Sequence, residues 1–257
     1  MTQLIQGSIP LLISLPHNSS FIPESLQERI QLSARSAPDT YWFVDELYAF
    51  AKEWGASILT PSYSRYVVDL NRPRDDKSLY PGQNTTGLCP TTQFDGSPVY
   101  LEGREPGIDE IKLRIEQYWE PYHQALKNEL ERLHQEFGRV VLWEGHSIKG
   151  ENLPYLFEGV LPDINIGTAD GTSCRPETQL ALQEVLEAQD DFSWVINGRF
   201  KGGYNTRHYN DPIRGVEAVQ LEMAQRTYMD EPRRAFDHDK AGRVQLLMAS
   251  LLERVIR

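Results

Sequence analysis

The chain has 257 residues, 40% hydrophobic and 25% charged, with a formal net charge of −11. That composition fits one soluble globular α/β domain with a sizeable core. The acidic balance argues against a nucleic-acid or anionic-membrane binder, which gathers phosphate with excess Lys and Arg. No apolar run reaches the roughly 20 residues of a bilayer span. The N-terminus lacks the basic start and apolar centre of a signal peptide, and Cys89 and Cys174 have no metal-like spacing. A reduced cytoplasm is the expected compartment. The sequence sets no oligomeric state.

Residues 10–15 read as a buried strand stopped by Pro16, with His17 directly after it. Residues 23–34 read as a helix with Pro23 in its first turn. A second helix is expected over 41–54, where Trp42, Leu47, Phe50, Ala51 and Trp54 form one apolar face and Gly55 marks the stop. Two short strands follow at 56–60 and 65–70. Residues 73–105 are rich in Pro and Gly with little periodicity, which predicts an ordered loop over a site. Helical spacing returns from 108 to 137, with Pro121 as a break or kink. The remaining expectations are a strand at 139–143, a glycine-rich loop at 158–173, a helix at 176–188, strands at 192–196 and 216–221, and a closing helix over 232–256. Strands alternating with helices predict a three-layer α/β sandwich around a mixed, largely parallel sheet, in a single domain over 1–257.

In open α/β sheets ligands bind beyond the carboxyl ends of the strands. His17 follows one predicted strand, and Glu144-Gly145-His146 ends another. Neutral imidazole is a favoured zinc ligand, and an acid two residues along the same extended chain can orient it. Arg65, Asp69, Asn71 and Arg72 cluster at the end of a third strand, where an arginine fork suits a carboxylate. Glu222 ends a fourth and is placed to act as a base. From Asn197 to Gly215, Arg199, Lys201, Arg207 and Arg214 oppose Asp211, four minus one, or +3, an island suited to a small anionic substrate. Each feature alone also has a plain structural explanation: a core histidine, an edge acid, a solvated basic loop.

Together the segments "PHNS" (16–19), "SRYVVDLNRP" (64–73), "EGHS" (144–147), "NGRFKGGYNTRHYNDP" (197–212) and "AVQLEM" (218–223) resemble the N-formylglutamate amidohydrolase family, itself similar to zinc carboxypeptidases and aspartoacylases. The resemblance spans nearly the whole chain in order. It implies zinc-dependent hydrolysis of N-formyl-L-glutamate to formate and glutamate, within histidine degradation. It implies His17 and His146 as metal ligands, Glu222 as general base and Arg65 as the group polarising the scissile carbonyl. Asn71 and Arg72, with Lys201 and Arg207, are implied as holders of the substrate carboxylates, and Glu144 as a support behind the metal. One zinc per chain is expected, with another divalent metal as the alternative. The carboxypeptidase-like pattern has a ligand Glu three residues after the first His, where this chain has Ser20. The family often has "DTDWH" where this chain has "DTYWF" (39–43). Asp45, then Asp39, are therefore the candidates for the carboxylate ligand. The chain also carries Glu144 where Asp is usual. Another N-acyl amino acid amidohydrolase on the same scaffold and a non-catalytic amino-acid-binding module are the competing readings. A two-manganese arginase-type enzyme would need repeated Asp-x-His-x-Asp clusters, which are absent from the sequence.

Overall fold

The computed structural model of the chain describes residues 2–79 and 82–256. Seven strands form one sheet: β1 (Gln3–Ile5), β2 (Leu11–Ser14), β3 (Ser57–Thr60), β4 (Val140–Ile148), β5 (Ile164–Gly167), β6 (Trp194–Ile196) and β7 (Val216–Ala224). Their spatial order is β1-β3-β2-β4-β7-β5-β6. The central run β3, β2, β4 and β7 is parallel. β1 lies antiparallel on β3, and β5 lies antiparallel on β7 with β6 parallel to it. The mixed, largely parallel sheet expected from the alternation of elements is what the chain forms.

Helices cover both faces. They are α1 (Glu24–Gln27), α2 (Val44–Leu47), α3 (Ala49–Glu53), α4 (Ile108–Arg114), α5 (Glu120–Phe137), α6 (Pro176–Glu187), α7 (Tyr204–His208) and α8 (His238–Ile256). Strand side chains alternate between faces. Leu11, Ile13, Val141, Trp143, Val219 and Leu221 therefore pack with the buried residues of α2, α6 and α8. Leu12, Val140, Leu142 and Ala218 pack on the opposite face against Tyr122, Leu126, Leu130 and Leu133 of α5. Among the described residues no helix is long and apolar enough to cross a membrane.

Several predicted elements change where tertiary contacts override local pattern. Residues 65–70 are buried but form no strand. The outer edge of β3 is already taken by β1, and the carbonyls of Tyr66 and Val67 accept instead from Arg114 Nη1. The helix expected over 41–54 splits into α2 and α3. Phe43 is left-handed at φ 60°, and Tyr48 leaves helical geometry with its buried hydroxyl accepting from Trp143 Nε1 at 2.7 Å. Only Glu24–Gln27 of the stretch 23–34 is α-helical. The 108–137 helix passes through a π-helical turn at Ile115–Trp119, and Pro121 follows directly after it, so the irregular turn falls where the proline removes an N–H from the helix. β4 and β7 run on past their predicted ends at 143 and 221. β1, β5 and α7 are additional. A small hairpin of β8 (Met229–Asp230) with β9 (Ala235–Phe236) occupies the stretch before α8.

Candidate active site

The two histidines meet. His17 follows β2, and His146 projects from within β4 rather than from its end; their ring centroids are 5.5 Å apart. β4 and β7 pair in parallel so that Glu144 faces Gln220 and His146 faces Glu222. These four even-numbered residues share the sheet face of Val140, Leu142 and Ala218, beyond the reach of the apolar residues of α5. Gly145 between them turns to the other face, where a Cβ would lie 2.6 Å from Leu15 Cδ2 and 2.7 Å from Tyr48 Cε2. The irregular segment after β3 supplies Arg65, Asp69, Asn71 and Arg72. The turn into α7 supplies Gly203, and the first turn of α7 supplies Asn205. A Cβ on Gly203 would lie 2.3 Å from Asn71 Nδ2, so only glycine allows this approach. There the Asn205 N–H donates to Asn71 Oδ1 at 2.9 Å.

Asp69 ties the first histidine to the first arginine. His17 Nε2 lies 2.7 Å from Asp69 Oδ1, and Arg65 Nη2 donates to Asp69 Oδ2 at 2.5 Å. Burial opposes the charge on Asp69, yet Arg65, His17 and Arg72 hold its carboxyl well below the usual range. A carboxylate only accepts, so Nε2 of His17 carries the ring proton and Nδ1 is left bare. Burial also drives the His17 imidazole down to about 3 against the pull of Asp69, so the ring is neutral. His146 Nε2 lies 3.4 Å from Glu144 Oε2 and 3.3 Å from Asn71 Nδ2. Glu144 Oε2 also accepts from Asn205 Nδ2 at 3.2 Å. The Nδ1 atoms of His17 and His146 and Oε1 of Glu222 are buried without a hydrogen-bond partner. Burial pushes the Glu222 carboxyl up to about 7, against His146, Arg65, Arg199 and Arg72.

Two buried imidazoles, each with Nε2 beside a carboxylate and Nδ1 buried without a hydrogen-bond partner, have the donor chemistry of a divalent-metal site and its supporting shell. They fill two of the three protein positions usual in catalytic zinc sites. The carboxylate proposed for the third does not join them. Asp45 is exposed at the start of α2, its N–H donating to Asn18 Oδ1. Asp39 accepts from the Tyr66 hydroxyl at 2.7 Å and the Phe94 N–H at 3.0 Å, outside the cavity between the histidines. Burial raises its carboxyl to about 6. Among the described residues no three His, Cys, Asp or Glu side chains converge as a metal cluster.

That cavity, about 60 Å³, is lined by His17, His146, Glu222, Arg65, Asn71 and Arg72, as the sequence suggested. Arg72 is held by Thr86 O at 2.8 Å and Asn71 O at 3.1 Å. Lys201 and Arg207 do not line it. Lys201 pairs with Asp170 at 2.9 Å, and Arg207 Nε donates to Gly202 O. The basic island reaches the cavity through Arg199 instead. Tyr41, Thr86, Phe94 and Gln220 also line it and carried no sequence signal of their own. Tyr41 stands edge-on to both histidines, at 4.7 Å and 5.3 Å between ring centroids. Thr86 and Phe94 come from the long 73–105 loop, which does lie over the site.

A family model described as N-formylglutamate amidohydrolase matches residues 9–229. The chain is 47% identical over 252 residues to N-formylglutamate deformylases of Pseudomonas putida and Pseudomonas aeruginosa, across 98% of this chain and 94% of each relative. The crystal structure of N-formylglutamate amidohydrolase from Ralstonia eutropha JMP134 is similar at a TM-score of 0.82 and 25% identity, over 98% of this chain and 96% of that one. A match of this extent, with the motif residues gathered around one cavity, means that the chain belongs to the N-formylglutamate amidohydrolase family.

Proposed function

We propose that the chain hydrolyses the formamide of N-formyl-L-glutamate to formate and L-glutamate, using one divalent metal, zinc, held through Nδ1 of His17 and of His146. The observation that carries this reading is one cavity, walled by three arginines, that Glu222 lines together with His17 and His146, with Oε1 of Glu222 and Nδ1 of both histidines buried without partners. The names of the relatives supply the substrate, and the family resemblance of the sequence supports a place in histidine breakdown. When bound, the metal supplies Lewis acidity and lowers the pKa of a water towards about 7.

The chain's own groups divide the rest of the work. Arg72, with the Asn71 amide, holds a carboxylate and fixes the substrate's position. Arg65, kept charged and oriented by Asp69, aims unpartnered N–H groups at the oxygen on which negative charge develops. Glu222 takes the proton of the attacking water and returns it to the leaving nitrogen as the C–N bond breaks. A carboxyl raised towards neutrality is suited to both halves of that transfer. Formate release from N-formylglutamate by the zinc-reconstituted protein, compared with N-acetylglutamate, tests the reading; no release above the uncatalysed rate would remove it.

A further inference from the structure

The substrate proposed above carries two carboxylates, and the cavity presents them with different arginines. Arg65 is committed to Asp69, so its charge is locally balanced. Arg72 comes from the same segment as Arg65 and shares Thr86 with it: Arg65 Nη2 lies 3.0 Å and Arg72 Nη2 3.5 Å from Thr86 Oγ1. Arg199 approaches from a different element, the turn between β6 and α7. Its Nε donates to Leu156 O at 2.9 Å and its Nη2 to Asn84 O at 3.2 Å, and its guanidinium lies 5.3 Å from the Phe200 ring centroid. It is close enough to the centre for its charge to act on Glu222.

We infer that Arg199 is the specificity residue that binds the side-chain carboxylate of the substrate, while Arg72 and Asn71 take the α-carboxylate. This rests on the proposed hydrolysis of an N-formyl amino acid. A guanidinium offers five N–H groups in a planar fork, so donation to two loop carbonyls is compatible with a grip on an anion. Those carbonyls are neutral, and they belong to the two loops that cover the cavity. They fix the direction of the cation. Of the four basic residues in the 197–215 island, Arg199 is the one that lines the cavity, which gives the island a defined task.

Three substrates separate the carboxylates: N-formylglutamate, N-formylglutamine (side-chain carboxylate neutralised) and N-formylisoglutamine (α-carboxylate neutralised). Comparing kcat/KM ratios within one protein cancels the folded and metal-loaded fractions. Wild type is expected to prefer N-formylglutamate over N-formylglutamine by roughly 10- to 150-fold, the worth of one charge-assisted contact. In Arg199→Met that preference should collapse towards one, with the preference over N-formylisoglutamine intact. In Arg72→Met the pattern should reverse. If Arg199→Met is too weak to assay, Arg199→Lys gives the same ratio and should show a reduced preference. The assignment is overturned if wild type has no such preference, if the preference survives at Arg199, or if Arg199→Met loses discrimination against the α-amide instead. A wild-type protein inert towards N-formylglutamate would sink the functional proposal itself, a separate result.

Discussion

Asp69→Asn tests the link on which the site depends. Asp69 is buried and divides its oxygens between His17 Nε2 and Arg65 Nη2. An amide cannot serve both as a carboxylate does. Arg65 donates only, so the amide oxygen must face it, and the amide NH₂ then faces His17. Nε2 must become an acceptor and the ring proton moves to Nδ1, the nitrogen proposed to bind the metal. Two magnitudes follow. Leaving the buried Arg65 without its counter-charge costs about 3 kcal/mol or more, a fall in Tm of roughly 6–12 °C for a chain of this size. Losing the carboxylate behind a histidine ligand typically lowers metal affinity by about 10- to 100-fold. Thermal unfolding of the metal-free protein, competitive zinc titration and the ¹⁵N shifts of the His17 ring read these effects separately. A variant that keeps zinc affinity and a proton on Nε2 refutes the reasoning, whatever its activity.

Glu222→Gln should keep bound zinc and lose roughly 10²–10⁴-fold in turnover, the usual cost of removing a general base; loss of zinc with activity would make Glu222 a ligand. The Glu222 carboxyl also predicts a pH effect on the metal-free protein, because its folded value of about 7 lies above its ordinary 4.5. The stability it adds is complete below about 4.5 and is lost as pH rises through about 7, about 3 kcal/mol in all. The Tm of Glu222→Gln relative to wild type should therefore rise across that window, and a flat difference would contradict the burial argument. Gly203→Ala should cost about 1–3 kcal/mol by driving a methyl into Asn71. Thermal unfolding should show its penalty shrinking in an Asn71→Ala background, since contacting sites couple; full additivity would place the strain elsewhere.

The sequence made the central sheet legible because its strands are continuous apolar runs bounded by turn residues. The polar ends of those runs pointed to His17, His146 and Glu222. It misled where the same pattern had another cause. Arg65 to Leu70 is apolar enough for a strand, but its sheet edge was taken by β1, a strand of three residues with little pattern. Asp45 and Asp39 looked suitable by position, yet one faces solvent and the other is spent on Tyr66 and Phe94. Lys201 and Arg199 lie two apart with equal charge. Only the three-dimensional course of the turn separates the residue that pairs with Asp170 from the one that lines the cavity. Asp69 stood within the quoted cluster without a role, because its task is set by two partners 52 and four residues away.

The division of labour within the sheet explains how the chain tolerates so many uncompensated groups. On the face towards α2 and α8 the strands remain apolar through Trp143, Leu221 and Met223. On the face towards α5 they are apolar at Leu12, Val140, Leu142 and Ala218, then turn polar at Ser14, Glu144, His146, Gln220 and Glu222. Ser14 still reaches α5, its hydroxyl 2.8 Å from that of Tyr122. Beyond it the helix gives way to Asn71, Arg72 and Asn205. Buried polar atoms without partners are destabilising, by about 1–3 kcal/mol each. In this protein Nδ1 of both histidines, Nε and Nη1 of Arg65, and Oε1 of Glu144 and Glu222 are all in that condition. They lie on or against this one stretch of one face, while the opposite face of the same strands supplies the packing that holds them there. A strand alternates its side chains by geometry, so the backbone that buries Trp143 and Leu221 must also present Glu144, His146, Gln220 and Glu222 together. A shift of β7 by one residue against β4 would move Glu222 into the apolar layer, so the core packing on one face fixes the catalytic register on the other.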